Sequence, residues 1–152
     1  MQKRYFRSAQ DLASPPLARY YLDTCIWIDY FENRKDRFRP LGEWALRAIN
    51  EIINEEGIIL ISSLNHKELK KFYTEEKIHK MVSHIPAVLL KMVFYSESQK
   101  NEAILTAKML GIPVSDALHA IIARDNSAVL ITRDKHFFLI RGIDIKLPEE
   151  LF

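Results

Sequence analysis

Four acidic residues lie far apart in the sequence but at similar places in the predicted elements: Asp23, Glu68, Asp116 and Asp134. Three of them lie at or just past the end of a predicted strand, and Asp116 opens a predicted helix. Because the carboxyl ends of parallel strands share one edge of an open α/β sheet, we expect these carboxylates to meet there. Clustered carboxylates repel one another, and without a cation some would hold protons through raised pKa values. A hard divalent ion removes that conflict, and oxygen ligands suit Mg²⁺ or Mn²⁺ rather than Zn²⁺. Such an ion activates water and stabilises the charge that a phosphodiester gains in its transition state.

Each acid alone also has a structural explanation. Asp23 can cap the helix that follows it, and the dipole of a helix favours Asp116 in its first turn. Asn65 and Glu68 have the spacing of a capping box, in which the Glu68 carboxylate would reach back to a free backbone N–H. For Glu68 the capping box and the metal site are equally good interpretations. The placement of all four acids together favours the metal site.

Three polar side chains next to these acids are predicted to support them. Thr132 lies two residues before the last acid, where its hydroxyl can orient a water molecule or a carboxylate. Thr24 directly follows the first acid. His119 lies one turn after the third acid, and we expect it to be buried or to support another side chain rather than to bind metal directly.

Basic residues near the acids are predicted to contact substrate phosphates, since backbone contacts dominate nucleic-acid binding. Arg133 and Lys135 flank the last acid, and Lys67 precedes Glu68. Lys67 is interpreted first as part of an exposed helix face, with Lys70 and Lys71, and second as a phosphate contact. The charged loop at 33–40 is interpreted first as solvated surface and second as a phosphate contact.

Other reactive residue types are interpreted structurally. Cys25 has no indicated base partner and is expected to be a small buried side chain. Asp29 and Asp125 are expected on exposed helix faces, whereas Trp27 and Trp44 are expected in the core. The remaining histidines show no spacing typical of zinc ligands: His66, His79, His84 and His136.

Apolar patterns predict the elements that position these residues. Continuous apolar runs at 58–61 and 129–131 are typical of buried central strands. Residues 20–22 form a further short strand, and 143–147 alternates like a half-exposed edge strand. Helical patterns separate the strands, so we expect a parallel sheet with right-handed crossovers and hence an α/β fold.

The helical patterns also predict which residues face the core and where helices end. Two sets are expected to be buried: Leu46, Ile49 and Ile53 in helix 41–56, and Ala103, Ile104, Ala107 and Leu110 in helix 97–110. Residues 74–91 are predicted to be helical with an interruption near Pro86. Residues 92–95 are ambiguous between a strand and a helix end, and Ser115 is expected to cap the last long helix.

The chain has 152 residues, 48% of them hydrophobic and 28% charged, which is ordinary for one globular domain. We expect an extended arm at 1–19, which contains Ser14-Pro15-Pro16, followed by a single domain at 20–152. A net charge of +2 permits a polyanionic partner without arguing for one. No membrane span or signal peptide is predicted, and the single cysteine favours a reducing cytoplasm.

Four segments together resemble the PIN-domain nucleases, most closely the small free-standing kind that includes ribonuclease toxins of the VapC type: Leu22-Asp23-Thr24, residues 63–68, Asp116-Ala117-Leu118-His119-Ala120 and Leu130-Ile131-Thr132-Arg133-Asp134. The resemblance covers residues 20–147. It implies a three-layer α/β/α sandwich with a small, mostly parallel sheet, and a metal-dependent endonuclease that usually acts on RNA. Under this resemblance the four acids would hold one or two Mg²⁺ or Mn²⁺ ions, and Thr132 matches the family's hydroxyl. An antitoxin protein and a second copy of the chain are the protein partners that it allows.

Two features depart from the family pattern. Some members carry a further acid two residues after the last one, where this chain has His136, and this bears on the binding of a second metal ion. The segment before Tyr20 is also longer than in the smallest toxins, which bears on the toxin assignment more than on the nuclease assignment.

The same residues allow other functions. A PIN-like module that binds RNA or a protein without cutting would carry the same pattern, although the four intact acids argue against it. A phosphate-accepting receiver domain fits Glu68 and the Thr132-Arg133-Asp134 segment poorly, and a haloacid-type phosphatase needs an acid where Cys25 stands. The predicted function is therefore a metal-dependent endoribonuclease, with the toxin of a toxin–antitoxin pair as one form that it can take.

Overall fold

The computed structural model describes residues 17–152, so most of the predicted arm at 1–19 lies outside the described residues. Within the described residues, five strands form one sheet: β1 (Arg19–Leu22), β2 (Ile58–Ser62), β3 (Leu90–Val93), β4 (Val129–Ile131) and β5 (Ile145–Lys146). Their order across the sheet is β3-β2-β1-β4-β5, and each neighbouring pair is parallel. The predicted α/β fold with a parallel sheet is confirmed.

Helices cover both faces of this sheet: α1 (Thr24–Glu32), α2 (Leu41–Asn54), α3 (Ser63–Leu69), α4 (Glu75–Val82), α5 (Glu97–Leu110) and α6 (Val114–Asp125). Short 3₁₀ segments lie at Ala87–Leu89, Lys135–Leu139 and Pro148–Leu151. Successive residues of a strand point to opposite faces of the sheet. Accordingly, Tyr21 packs in one core with α5 and α6, whereas Tyr20 and Leu22 pack in another with α1, α2 and α4. The structure is the expected three-layer α/β/α sandwich.

The strand order reverses at β1, and this reversal creates the crevice that holds the acids. After β1 the chain builds β2 and β3 on one side, and then adds β4 and β5 on the other. Open α/β sheets bind ligands at the carboxyl ends of the strands at such a reversal. Leu22 pairs with Ile131, and the backbone N–H of Asp23 donates to the Ile131 carbonyl at 3.0 Å. The register therefore places Asp23 next to Thr132.

The buried face of α2 differs in part from the predicted one. Ile49 is buried and Ile53 packs against the core, as expected, but Leu46 is exposed. The inner face instead includes Ala45 and Ile52, which lie at helical spacing on either side of Ile49. An alanine contributes little to an apolar pattern, so the buried face predicted from the sequence is displaced from the face that is buried in the structure.

In α5 the predicted buried stripe is too wide. Ala103 and Ala107 are buried, but the prediction is wrong for Ile104 and Leu110, which remain exposed. These two alanines belong to the same core as the alanine-rich helix α6. Small side chains at a helix contact allow a close approach, so the larger side chains on the flanks stay outside it.

The predicted helix at 74–91 is wrong beyond Val82, where α4 ends. Pro86 has an extended backbone, with φ of −53° and ψ of 132°, and a short 3₁₀ segment then leads into β3. The ambiguity at 92–95 is resolved because Met92 pairs with Ile61 of β2. Pairing with a neighbouring strand outweighs local preference in this segment.

Two element ends show a similar mixture of outcomes. Helix α6 begins at Val114 after Pro113, so Ser115 lies inside the first turn and is not the predicted cap. Pro113 occupies the N-cap position, with a ψ of 146°, and its side chain makes no capping hydrogen bond. The predicted edge strand at 143–147 is confirmed as β5, although it pairs over two residues only.

Among residues 17–152, no helix is both long and apolar enough to cross a membrane.

Candidate active site

The four acids line one cleft of about 600 Å³ at the carboxyl edge of the sheet. The other lining residues are hydroxyl, thiol, apolar and basic side chains: Thr24, Cys25, Ile28, Arg34, Lys71, Phe72 and Arg133. The acids come from four separate segments, namely the ends of β1 and β4, the helix α3 and the first turn of α6. The structure therefore brings together Asp23, Glu68, Asp116 and Asp134, which is the convergence that the sequence predicts.

Asp23 occupies the N-cap position of α1, but its side chain makes no capping hydrogen bond. Its Oδ2 instead accepts hydrogen bonds from the Thr132 hydroxyl at 2.8 Å and from the Cys25 thiol at 3.3 Å. Thr132 also accepts a hydrogen bond from the backbone N–H of Asp134 at 3.0 Å, so it links two of the acids. The capping interpretation of Asp23 is therefore wrong, and Thr132 contacts the carboxylate as expected.

Glu68 is likewise free of the capping box that its spacing suggests. The capping box of α3 is formed by Ser62 and Asn65, one turn earlier than the Asn65–Glu68 pair. Glu68 Oε1 accepts hydrogen bonds from the Thr24 hydroxyl at 3.1 Å and from Nε2 of His119. Burial opposes ionisation of this carboxyl group, but the hydrogen bonds from His119 and Thr24, together with nearby positive charge, outweigh it and lower the pKa of Glu68.

A closed ring of buried and partly buried hydrogen bonds holds Glu68 in place. His119, which is 1% exposed, contacts the Tyr21 hydroxyl through Nδ1 at 2.6 Å. The Tyr21 hydroxyl contacts the Ser62 hydroxyl at 2.7 Å. Asn65 shares the capping box with Ser62 and donates to the Thr24 hydroxyl at 3.0 Å, which completes the ring. Burial raises the pKa of Tyr21 well above its usual value, so its hydroxyl stays protonated.

Asp116 and Asp134 form the second half of the site. Asp116 lies in the first turn of α6, and Asp134 caps the 3₁₀ segment by accepting from the backbone N–H of His136 at 2.9 Å. Burial, and then the charge of Asp134, raise the pKa of the Asp116 carboxyl group. The His136 ring lies between the two acids, with Nδ1 at 3.1 Å from Asp116 and 3.2 Å from Asp134.

The basic residues predicted to contact phosphates are placed differently from one another. Arg133 lines the cleft, but its guanidinium donates to Glu149 at 3.1 Å and lies 3.8 Å from Asp29. Lys67 and Lys135 are exposed and do not line the cleft. Their contacts with phosphate therefore stay predictions.

Among the side chains that line the cleft, Arg34, Lys71 and Phe72 were not predicted as site residues. Lys71 had a usable signal, since it lies three residues after Glu68 and residues at that spacing share a helix face. Arg34 belongs to the loop interpreted first as solvated surface. Phe72 is 72% exposed although aromatic, and no periodic pattern marks it.

Three residues that were interpreted structurally, Asp29, Asp125 and Cys25, differ in their burial. The prediction of an exposed Asp29 is wrong: this residue is 5% exposed, and its burial raises the pKa of its carboxyl group although Arg133 opposes the change. A helical pattern cannot show that a charged partner from a distant segment covers a polar face. Asp125 is exposed as expected, and Cys25 is partly buried, with burial raising the pKa of its thiol.

The fold and the site agree with a known family. The PIN domain model matches residues 20–142, so the chain belongs to the PIN domain family. This confirms the resemblance seen in the sequence. No curated protein matches the sequence.

Several solved structures share the fold. VapBC2 from Rickettsia felis, bound to a DNA fragment from its promoter, has a TM-score of 0.62 at 19% identity over 85% of this chain and 98% of that one. DNA-bound VapBC from Salmonella typhimurium has a TM-score of 0.62 at 21% identity, covering 87% and 99%. A toxin–antitoxin complex from Klebsiella pneumoniae has a TM-score of 0.58 at 21% identity, covering 85% and 97%. At such identities the likeness establishes the fold.

Proposed function

We propose that this protein is a metal-dependent endoribonuclease that hydrolyses RNA phosphodiester bonds, with Mg²⁺ or Mn²⁺ held by the four acids. The observation that carries the proposal is the convergence of Asp23, Glu68, Asp116 and Asp134 in one cleft. Structural explanations are weakened for two of them, because Asp23 and Glu68 make no capping bonds. Membership of the PIN domain family supports the same assignment.

The donor set fits a hard divalent cation. The cleft presents carboxylate and hydroxyl oxygens, and its thiol, Cys25, is kept protonated because burial raises its pKa. Oxygen donors of this kind are those that Mg²⁺ and Mn²⁺ prefer. When bound, such an ion supplies Lewis-acid chemistry that makes water a stronger nucleophile and stabilises negative charge on a phosphate.

The surrounding side chains orient the acids. The Thr132 hydroxyl and the Cys25 thiol both contact Oδ2 of Asp23, which leaves Oδ1 as the oxygen without those bonds. Thr24 and His119 both contact Oε1 of Glu68, which leaves Oε2 free of them. Each carboxylate therefore keeps one oxygen to offer to a cation while the other fixes its position.

Basic side chains would hold the RNA backbone. Lys71 and Arg34 line the cleft together with the acids, where they can bind phosphate oxygens on either side of the scissile bond. Arg133 would contribute if a phosphate competes with Glu149 for its guanidinium. Lys67 and Lys135 are proposed as outer contacts, since both are exposed outside the cleft.

We test the assignment by incubating a mixed RNA pool with the full chain and Mn²⁺, with and without Asp23→Asn. The variant keeps the size of the side chain but removes the charge, so cleavage should fall by about 100-fold or more. Asp144→Asn makes the same change at an exposed position outside the cleft and should cleave normally. Cleavage that is equal in the Asp23 variant and the wild type would falsify the proposal.

The alternative is a PIN-like module that binds RNA or a protein without cutting. The same protein preparation distinguishes it by calorimetric titration with Mn²⁺. The nuclease should bind the ion and lose that binding in the Asp23→Asn variant. RNA binding without Mn²⁺ binding or cleavage would favour the alternative.

We further propose that the nuclease is the toxin of a toxin–antitoxin pair. The support is the similarity of the fold to the toxin–antitoxin complex from Klebsiella pneumoniae and to the VapBC proteins, whose chains are covered almost completely. An antitoxin protein would then be its partner, and a homodimer its own assembly. A cytoplasmic location would follow from an RNA substrate.

A further inference from the structure

The exposed His136 ring contacts two of the four acids. Its Nδ1 lies 3.1 Å from Asp116 Oδ2 and 3.2 Å from Asp134 Oδ1. One ligand atom from each of the three residues lies within 4.8 Å of the other two. Ligands with metal bonds of about 2.1 Å lie at most about 4.2 Å apart, so small side-chain adjustments would let all three share one cation.

The backbone around His136 is already fixed for this role. The N–H of His136 donates to Asp134 at 2.9 Å, which ties the two residues together. The next residue, Phe137, is fully buried and anchors the 3₁₀ segment to the core. The His136 side chain itself is 53% exposed, so the ring has room to turn toward an ion without disturbing the core.

We propose that His136 is a metal ligand and that Asp116, Asp134 and His136 form a mixed nitrogen–oxygen subsite that selects Mn²⁺ over Mg²⁺. The inference rests on the proposed function, since it uses two of the same carboxylates. Mg²⁺ strongly prefers oxygen ligands and gives up water reluctantly. An imidazole nitrogen is a softer donor that favours first-row transition ions. Replacing this nitrogen by an oxygen should therefore shift the preference toward Mg²⁺.

The test uses the full chain, freed of metal by chelation and then titrated with Mn²⁺ or Mg²⁺ alone. Electron spin-echo spectroscopy of the Mn²⁺ complex detects a directly bound nitrogen through its hyperfine coupling. The wild type should show this coupling, and His136→Asp should not. The ratio of the Mg²⁺ Kd to the Mn²⁺ Kd should fall by about tenfold in this variant, because an oxygen donor that suits both ions replaces the nitrogen that favours Mn²⁺.

Two further variants keep the result interpretable. His79→Asp makes the same change at an exposed position outside the cleft and should keep both the coupling and the ratio. His136→Gln removes the imidazole without adding a charge, so it should also lose the coupling. It serves as the test variant if His136→Asp disturbs the fold. Coupling that survives in folded His136 variants assigns the nitrogen to another residue, such as His119, and overturns the proposal.

The failure of this inference can be told apart from the failure of the proposed function. Mn²⁺ that binds the wild type without nitrogen coupling overturns the role of His136, while loss of RNA cleavage in Asp23→Asn would still support the four-carboxylate nuclease. Absence of Mn²⁺ binding in the wild type overturns both.

Discussion

Two acids of the cleft, Asp23 and Glu68, are held by side chains rather than by the helix ends they adjoin. Asp23 stands where a helix cap is expected, yet its carboxylate is bound by Thr132 and Cys25. Glu68 is bound by Thr24 and His119 instead of by a backbone N–H. Hydrogen bonds to a charged carboxylate are stronger than those between neutral groups. These contacts therefore orient both carboxylates before any cation arrives, and those to Glu68 also lower its pKa.

Asp116 differs from Glu68, because burial and the nearby charge of Asp134 raise the pKa of its carboxyl group. The folded state then binds the Asp116 proton more tightly than the unfolded state does. The metal-free protein therefore loses stability as the pH rises from the ordinary pKa of aspartate through the raised pKa of Asp116. We expect Asp116→Asn to raise the Tm of the chelator-treated protein at neutral pH by about 2 °C. The gain should shrink as the pH falls toward the ordinary pKa of aspartate, about 3.9.

This prediction is checked by thermal unfolding across the acidic and neutral range, with Asp144→Asn as the control on exposed surface. The control should leave the Tm unchanged at each pH. Added Mn²⁺ should make the wild type the protein with the higher Tm. The wild type is stabilised by the bound ion, whereas the variant lacks the Asp116 carboxylate that binds it. A variant that is less stable than the wild type without metal at neutral pH would contradict the argument.

At the scale of elements, α3 and α5 begin with the same kind of capping box but in different surroundings. In α3 the box joins Ser62 and Asn65, both fully buried, and is part of the ring that holds Glu68. In α5 it joins Ser96 and Gln99 on the surface. The two helices therefore offer a matched comparison between a cap that only stabilises a helix and one that also positions an acid.

We expect Ser62→Ala and Ser96→Ala each to lower the free energy of unfolding by about 1 kcal/mol, the usual effect of losing an N-cap. Only Ser62→Ala should also weaken Mn²⁺ binding, because the Tyr21 hydroxyl loses one of its two partners and then holds His119 less firmly. Denaturant unfolding and calorimetric titration measure the two effects separately. Equal Mn²⁺ affinities in the two variants would show that the ring does not position Glu68.

At the scale of the whole molecule, the position of β1 in the sheet assembles the site. The neighbours of β1 are β2 and β4, so segments that are distant in the sequence end side by side. The acids at the ends of β1 and β4, at the start of α6 and within α3 then share one edge. A chain with the same local patterns but another strand order would leave these carboxylates apart.

The toxin proposal belongs to the same scale, because it concerns the protein as a unit in the cell. We expect expression of the wild type to arrest bacterial growth through RNA cleavage, and expression of Asp23→Asn to leave growth unaffected. The purified product of an adjacent small reading frame should bind the chain and restore growth. An active nuclease whose expression leaves growth unchanged would separate the enzyme from the toxin assignment.

Local chemistry determined much of this protein. Continuous apolar runs indicated β2 and β4, because a strand covered on both faces leaves no polar side. The four acids stood out because each adjoins an element end, and the segments around them were sufficient to indicate the family. These features depend on neighbours within a few residues, which a sequence displays directly.

The tertiary structure decided which partner each side chain takes. Sequence spacing allowed Glu68 either a capping box or a cleft, and only the packing of His119 against it selects the cleft. Asp29 is buried because Arg133 approaches it from a distant segment, and Phe72 lies in the cleft although no pattern marks it. Several partners satisfy a polar or aromatic side chain equally well in an isolated sequence, and the arrangement of distant strands and helices chooses among them.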